Sequence, residues 1–238
     1  MTTTRTGQGH DELSAYMDIL SHDILNNNQA ILSCIEFITT SPALDERSRE
    51  YTAKAAVKVN ISTLMFESIR ELCLANQSET PPLRPMDLSE LLVDAVQALS
   101  RLFPRVTVTT SEGLDKTAPS IMGNQMASDL VLMALVNLAL LDKSEDGRID
   151  IGIGESGPEH VDVLLSSRHI RIPSAFLEHD APHLTSDSRS KMVRVAGFLL
   201  ARLMTKALDG AFEVRGGTDG HPDEGCTIRI SLRREGLQ

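Results

Sequence analysis

The sequence predicts an α+β protein in two parts. An N-terminal antiparallel helical hairpin pairs with a second copy into a dimeric four-helix bundle, and an α/β sandwich follows it. Three observations carry this. Apolar residues in the first third recur at spacings alternating between three and four, the seam of a bundle. A polar stretch with three prolines comes next, NQSETPPLRPM at 76–86. Beyond it, strand-like alternation and helical runs take turns along the chain.

The first seam runs through Leu13, Met17, Leu20, Ile24, Ile31, Cys34 or Ile35, and Ile38. Ser41-Pro42 ends it, because proline lacks an N–H donor and restricts the residue before it. Asp45 can cap a second helix, whose seam runs through Tyr51, Ala55, Ile61, Met65, Ile69 and Leu72. So short a break folds the two helices into a hairpin over residues 10–77, and a second copy completes their burial. Asn27 falls on the first seam, where a buried amide would fix register; a catalytic role is the alternative.

Residues 78–86 read as a linker, and 87–238 as the α/β part. Within it, Asp87 to Leu102 is a capped helix, Arg105 to Thr110 a strand, and Met122 to Leu141 a buried helix. Strands are expected at Arg148 to Ile153 and His160 to Ser166, and a helix from Met192 to Leu208. Ala211 to Arg215 and Cys226 to Leu232 would close the chain as a hairpin. Helices on one face of a mixed sheet is the simplest packing of this order.

Composition excludes several classes. With 41% apolar residues the chain can pack a core, and a net charge of −10 argues against nucleic acid and polybasic membrane contacts. The apolar run Leu130 to Leu141 is too short to span a bilayer, and the N-terminus lacks a secretory signal. Cys34, Cys73 and Cys226 are scattered, which supports neither a zinc site nor a disulfide framework. A cytoplasmic setting is expected. His179 and His183 have metal-ligand spacing but lie among prolines, so a surface loop is the expected reading.

One stretch carries chemistry: Ser21-His22-Asp23-Ile24-Leu25-Asn26-Asn27-Asn28-Gln29-Ala30-Ile31. If the seam faces the bundle core, His22 lies opposite it, in water, with Asn26 one turn on and Asp23 next in sequence. Phosphoryl transfer needs a nucleophilic nitrogen held in line with the incoming group, and a neutral imidazole supplies one near pH 7. A neighbouring carboxylate or amide can fix its tautomer.

Ser-His-Asp-Ile-Leu-Asn resembles the H-box of two-component sensor histidine kinases, and its longer form is similar to the variant of archaeal, methanogen-type kinases. The resemblance covers the whole chain, with a GHKL, Bergerat-like ATP-binding domain as the second part. It implies that His22 accepts phosphate, that Asp23 assists transfer, and that Asn26 positions water for dephosphorylating a partner. It also implies response-regulator receiver domains as partners. Leu25 and Leu32, one heptad apart and off the seam, either pack within the bundle or join Gln29 in a receiver-docking face; Phe37 is a similar candidate.

The family's ATP boxes are degenerate here. Counting back from Gly147-Arg148-Ile149, the magnesium-binding Asn falls on Leu138 and an earlier Asn on Ala134; Asn137 is one residue off. Leucine cannot ligate magnesium, which takes oxygen donors. In the second box, Ser167 stands for the adenine-reading Asp, and His169 and Arg171 for two glycines. Of the third, Val195-Ala196-Gly197-Phe198 keeps one glycine, while Gly225-Cys226-Thr227 matches the last. We therefore expect ATP and magnesium binding to be lost, with no cofactor. The reading that follows is a homodimeric histidine phosphotransferase carrying phosphate on His22 between receiver domains. An active sensor-type kinase with a divergent ATP site, or a non-catalytic receiver-binding scaffold dimer, are the alternatives. About twenty residues precede His22, too few for a sensory module, so any signal is expected through a partner.

Overall fold

The computed structural model describes residues 5–76, 82–110, 118–142, 144, 147–155, 157–170, 196–215 and 225–236, with side chains of the first helix from Leu20 onward. The chain divides into two compact units, Met1–Pro81 and Pro82–Gln238.

The first unit is a hairpin of α1, Arg5–Thr39, and α2, Glu46–Asn76. α1 starts earlier than the heptad pattern at Leu13 indicates. The proline turn separates the helices, and Asp45 caps α2 by accepting from the Ser48 N–H at 2.7 Å. That bond to an ionised acceptor holds the Asp45 carboxyl below its usual value. The face of α1 turned to α2 is one residue on from the sequence seam. Asn28, 8% exposed, donates from Nδ2 to Ser62 Oγ at 3.2 Å and to Thr63 Oγ1 at 3.1 Å. Ser21, Leu25, Leu32 and Ile35 share its line at spacings of three and four. Asn27, expected to be the register amide, is exposed, and Asn28 does that work. Leu20, Ile31 and Ile38 stay exposed in the single chain, at 53%, 47% and 44%. On α2 Ile61 is buried as the seam predicts, whereas the other buried positions, Leu64 and Ser68, each lie one residue before the expected Met65 and Ile69, which are half-buried.

The second unit opens with β1, Arg84–Asp87, and α3, Leu88–Leu102. Asp87 caps α3 by accepting from the N–H groups of Ser89 and Glu90. Then come β2, Thr107–Thr110, β3, Ser120–Gly123, and α4, Gln125–Leu141. β4, Arg148–Glu155, β5, His160–Ser167, α5, Ala196–Ala207, β6, Ala211–Arg215, and β7, Cys226–Arg233, complete the described elements. Five strands form one sheet in the order β2-β4-β5-β7-β6, with β2 parallel to β4 and the other neighbours antiparallel.

Two corrections to the sequence reading arise here. Residues 84–86 are not linker: with Asp87 they form β1, antiparallel to β3, pairing Arg84 with Gly123 and Asp87 with Ser120. A two-stranded ribbon leaves each strand an outer edge, and Pro85 needs no N–H partner there. Met122 and Gly123 are not helical either. They end β3, and Asn124 caps α4 by accepting from the Met126 N–H at 3.1 Å.

One sheet face is apolar and buried: Ile149, Ile151, Val161, Val163, Leu165, Ile228, Ile230 and Leu232 are at most 1% exposed. α3, α4 and α5 supply the rest of this core through Leu88, Leu92, Leu99, Leu130, Leu135, Phe198 and Met204. The alternate positions form a polar face. There Arg229 Nε donates to Asp162 Oδ2 at 2.7 Å, Ser231 Oγ donates to Asp162 Oδ1 at 2.5 Å, and Arg229 also reaches Glu213. Two donors of β7 thus satisfy the buried acid of β5, and Arg229 links it to Glu213 of β6.

Candidate functional site

His22 sits on a continuous stretch of α1, whose backbone bonds are made within the helix, so its base is rigid. The neighbouring Ser21 is fully buried and Asn28 anchors the same turn region to α2. A helix rotates about 100° per residue, so burying 21 and 28 turns position 22 outward. The His22 side chain is 72% exposed and that of Asp23 69%. Asp23 Oδ1 stands 3.6 Å from His22 Nδ1. The Asn26 amide group lies 3.2 Å from Nδ1 and 3.5 Å from Nε2. The structure thus brings His22, Asp23 and Asn26 together, with the carboxylate on the Nδ1 side. The remaining members of the sequence-derived set are divided. Gln29 is exposed, whereas Leu25 and Leu32 are half-buried on the line that faces α2, which favours packing over docking. Phe37 is 81% exposed, near the far end of α1.

In the second unit, Ala134 and Leu138 are fully buried in α4. Asn137 is 4% exposed; its Nδ2 donates to the Met133 carbonyl at 2.6 Å. The same amide lies against Gly197 of α5, where an added Cβ would fall 1.9 Å from Nδ2. Gly197 is therefore required by helix packing. Gly225 has a comparable reason: a Cβ there would come within 2.6 Å of the Ser167 carbonyl oxygen. Ser167 is 2% exposed, and its Oγ has no hydrogen-bond partner among the described residues. Thr227 pairs with Ser166, hydroxyl to hydroxyl, at 3.0 Å across β5 and β7. Arg168 and His169 are exposed, while Arg171, Val195, His179 and His183 lie outside the described residues.

No family model matches the sequence, and no curated protein is similar to it. Solved structures are. The chain is similar to full-length ShkA in complex with AMPPNP, with a TM-score of 0.56 and 14% identity, over 94% of this chain and 47% of that one. It is similar to the Acinetobacter baumannii histidine kinase AdeS, with a TM-score of 0.50 and 12% identity, over 89% of this chain and 98% of that one. The architecture is histidine-kinase-like. In this chain a helical hairpin precedes an α/β unit, the order the sequence predicts. No helix among the described residues is long and apolar enough to cross a membrane.

Proposed function

We propose that the protein is a homodimeric histidine phosphotransferase of two-component signalling, with His22 carrying phosphate between response-regulator receiver domains. The observation that carries this reading is the exposed imidazole of His22 with Asp23 and Asn26 gathered on one side of it. A nucleophile that must reach a second protein has to stand in water on a firm base, and both conditions hold. In the transfer step the Nε2 lone pair forms a bond to phosphorus. The P–O bond to the receiver aspartate breaks, and that carboxylate leaves with the electron pair. The ring becomes cationic as this happens, and the Asp23 carboxylate stabilises the developing charge.

Loss of ATP and magnesium binding belongs to the same proposal. Leu138 and Ala134 offer no oxygen donor, and both are sealed in the core. Ser167 is a neutral, buried hydroxyl where the family pattern has an aspartate. The two surviving glycines have packing roles that need no nucleotide. Dimerisation is supported by the apolar line Leu20, Ile31 and Ile38, which the hairpin leaves exposed beside Cys34.

The test is labelling. Purified protein incubated with γ-labelled ATP and magnesium should acquire no acid-labile label. Incubation with a phosphorylated receiver domain should label it, and the label should disappear in His22→Ala. Label from ATP that depends on His22 would instead identify a working kinase. Receiver binding without any label on His22 would identify a scaffold.

A further inference from the structure

We infer that Asn27 selects the partner of the exposed line on α1: a second copy of this chain, with its own α1 parallel and in register. The inference deepens the homodimer reading and rests on it.

Two apolar lines run along α1. Leu25, Leu32 and Ile35 share the line of Asn28, which is bonded to α2. Leu20, Ile24, Asn27, Ile31, Cys34 and Ile38 form the other, advancing strictly by four and three residues. All of these but the half-buried Ile24 are exposed in the single chain. They make one continuous stripe over roughly five helical turns, unlike the scattered single apolar residues of an ordinary surface.

Charge and side-chain shape together indicate what covers the stripe. No Asp, Glu, Lys, Arg or His occurs from Ile24 to Ile35, although the chain carries a net charge of −10. Two such chains repel one another over most of their surface, and an uncharged stripe is where they can meet without opposing like charges. A strongly charged partner would find no complementary group on it. Ile24, Ile31 and Ile38 hold one heptad position, and Leu20, Asn27 and Cys34 hold the other. Branched residues at the first and leucine at the second favour two parallel copies of one helix. A two-fold axis along α1 then sets each residue against its counterpart.

Asn27 is the one amide on the stripe. Against an apolar side chain it would lose water and gain nothing, whereas against the same amide of the second copy it donates and accepts at once. A slip by one heptad, or a foreign apolar helix, leaves it unsatisfied. Asn27 therefore weakens the seam relative to an apolar residue and restricts it to a matched alignment. The neighbouring amides divide the work: Asn28 fixes the hairpin, and Asn27 fixes the pair of hairpins. His22 precedes Asn27 by five residues, about 7.5 Å along the axis, so the parallel alignment brings both phosphocarrier histidines to one level. An antiparallel pair centred on Asn27 would also match the amides, but it would hold the two Cys34 residues about 21 Å apart.

The experiment is sedimentation equilibrium of the unphosphorylated full-length protein, with diamide cross-linking to read the alignment. Wild type should be a dimer that diamide joins through Cys34, and Cys34→Ser should abolish the link. Asn27→Lys, which sets two like charges face to face, should weaken the dimer at least tenfold. Ser33→Lys, on an exposed position off both lines, should leave it unchanged. Asn27→Ile should tighten the dimer at least tenfold, a gain that misfolding cannot imitate. A dimer indifferent to Asn27→Lys, an Asn27→Ile dimer no tighter than wild type, or a wild-type dimer without the Cys34 link would overturn the inference and leave the homodimer standing. A wild-type chain that is monomeric at every concentration would remove both, while transfer through His22 is decided separately by the receiver assay.

Discussion

Gly197 of α5 and Asn137 of α4 are interlocked: the glycine has no β-carbon because the asparagine amide occupies its place. Gly197→Ala should therefore destabilise the α/β unit by about 1–3 kcal/mol, the usual cost of overpacking. Asn137→Ala in the same chain should recover most of the loss, since the Met133 carbonyl keeps its helical N–H partner. Urea unfolding of the single and double variants checks this. Equal destabilisation in both would disprove the interlock.

Asn28 should be the most sensitive polar residue of the hairpin. Its amide joins Ser62 and Thr63 of α2, and removing it in Asn28→Ala should cost about 1–2 kcal/mol. Gln29→Ala, on the exposed neighbour, should stay within about 0.5 kcal/mol. Thermal melts followed by helical circular dichroism distinguish them.

Acid stability should depend on Asp150. The Thr109 hydroxyl donates to it, and Arg148 adds a second bond, so its carboxyl is held below the ordinary 3.8 despite the opposing effect of partial burial. A depressed folded value means that the contribution is complete above 3.8 and is lost as pH falls through the lower folded value. Thr109→Val should raise the Asp150 value and bring acid unfolding to a higher pH. A carboxyl NMR titration that leaves Asp150 unmoved in this variant would refute the assignment.

The cysteines should differ in reactivity. Burial pushes the Cys226 thiol up to about 12, so it stays protonated and closed to alkylation, whereas Cys34 is exposed in the single chain. Iodoacetamide should label Cys34 readily in dilute, dissociated protein and slowly once the apolar line of α1 is covered, and should reach Cys226 only on unfolding. Cys34 also lies on the apolar line of α1, so mild oxidation of a two-fold dimer should yield a covalent pair that Cys34→Ser abolishes. A monomeric product under those conditions would count against pairing through this face.

The hairpin and most of the sheet were legible because their signals are long-range periodicities and strong punctuation, such as Ser41-Pro42, Asp45 and Asp87. What escaped was short or ambiguous. β1 has four residues and contains Pro85, which argues against a strand unless it has a free edge. β3 disappears into the apolar run that continues through α4, although Asn124 offered a capping signal inside it. The one-residue offset on α1 has a different cause. Two apolar lines run side by side, Leu20–Ile24–Ile31–Ile38 and Leu25–Leu32–Ile35, and periodicity fits both. Only the bonds of Asn28 reveal which one meets α2. At the site, the clustering of His22, Asp23 and Asn26 follows from helix spacing, but the choice of nitrogen they approach depends on side-chain torsions that a sequence does not contain.

The exposed line on α1 has a thermodynamic consequence. The α/β unit closes its own core, so its unfolding should be independent of dilution. The hairpin leaves Leu20, Ile31 and Ile38 in water, and whatever covers them stabilises only the folded form. Its melting point should then rise with protein concentration, and a single chain would show two transitions, one fixed and one sliding, whose separation measures how crowded the first helix is with partners.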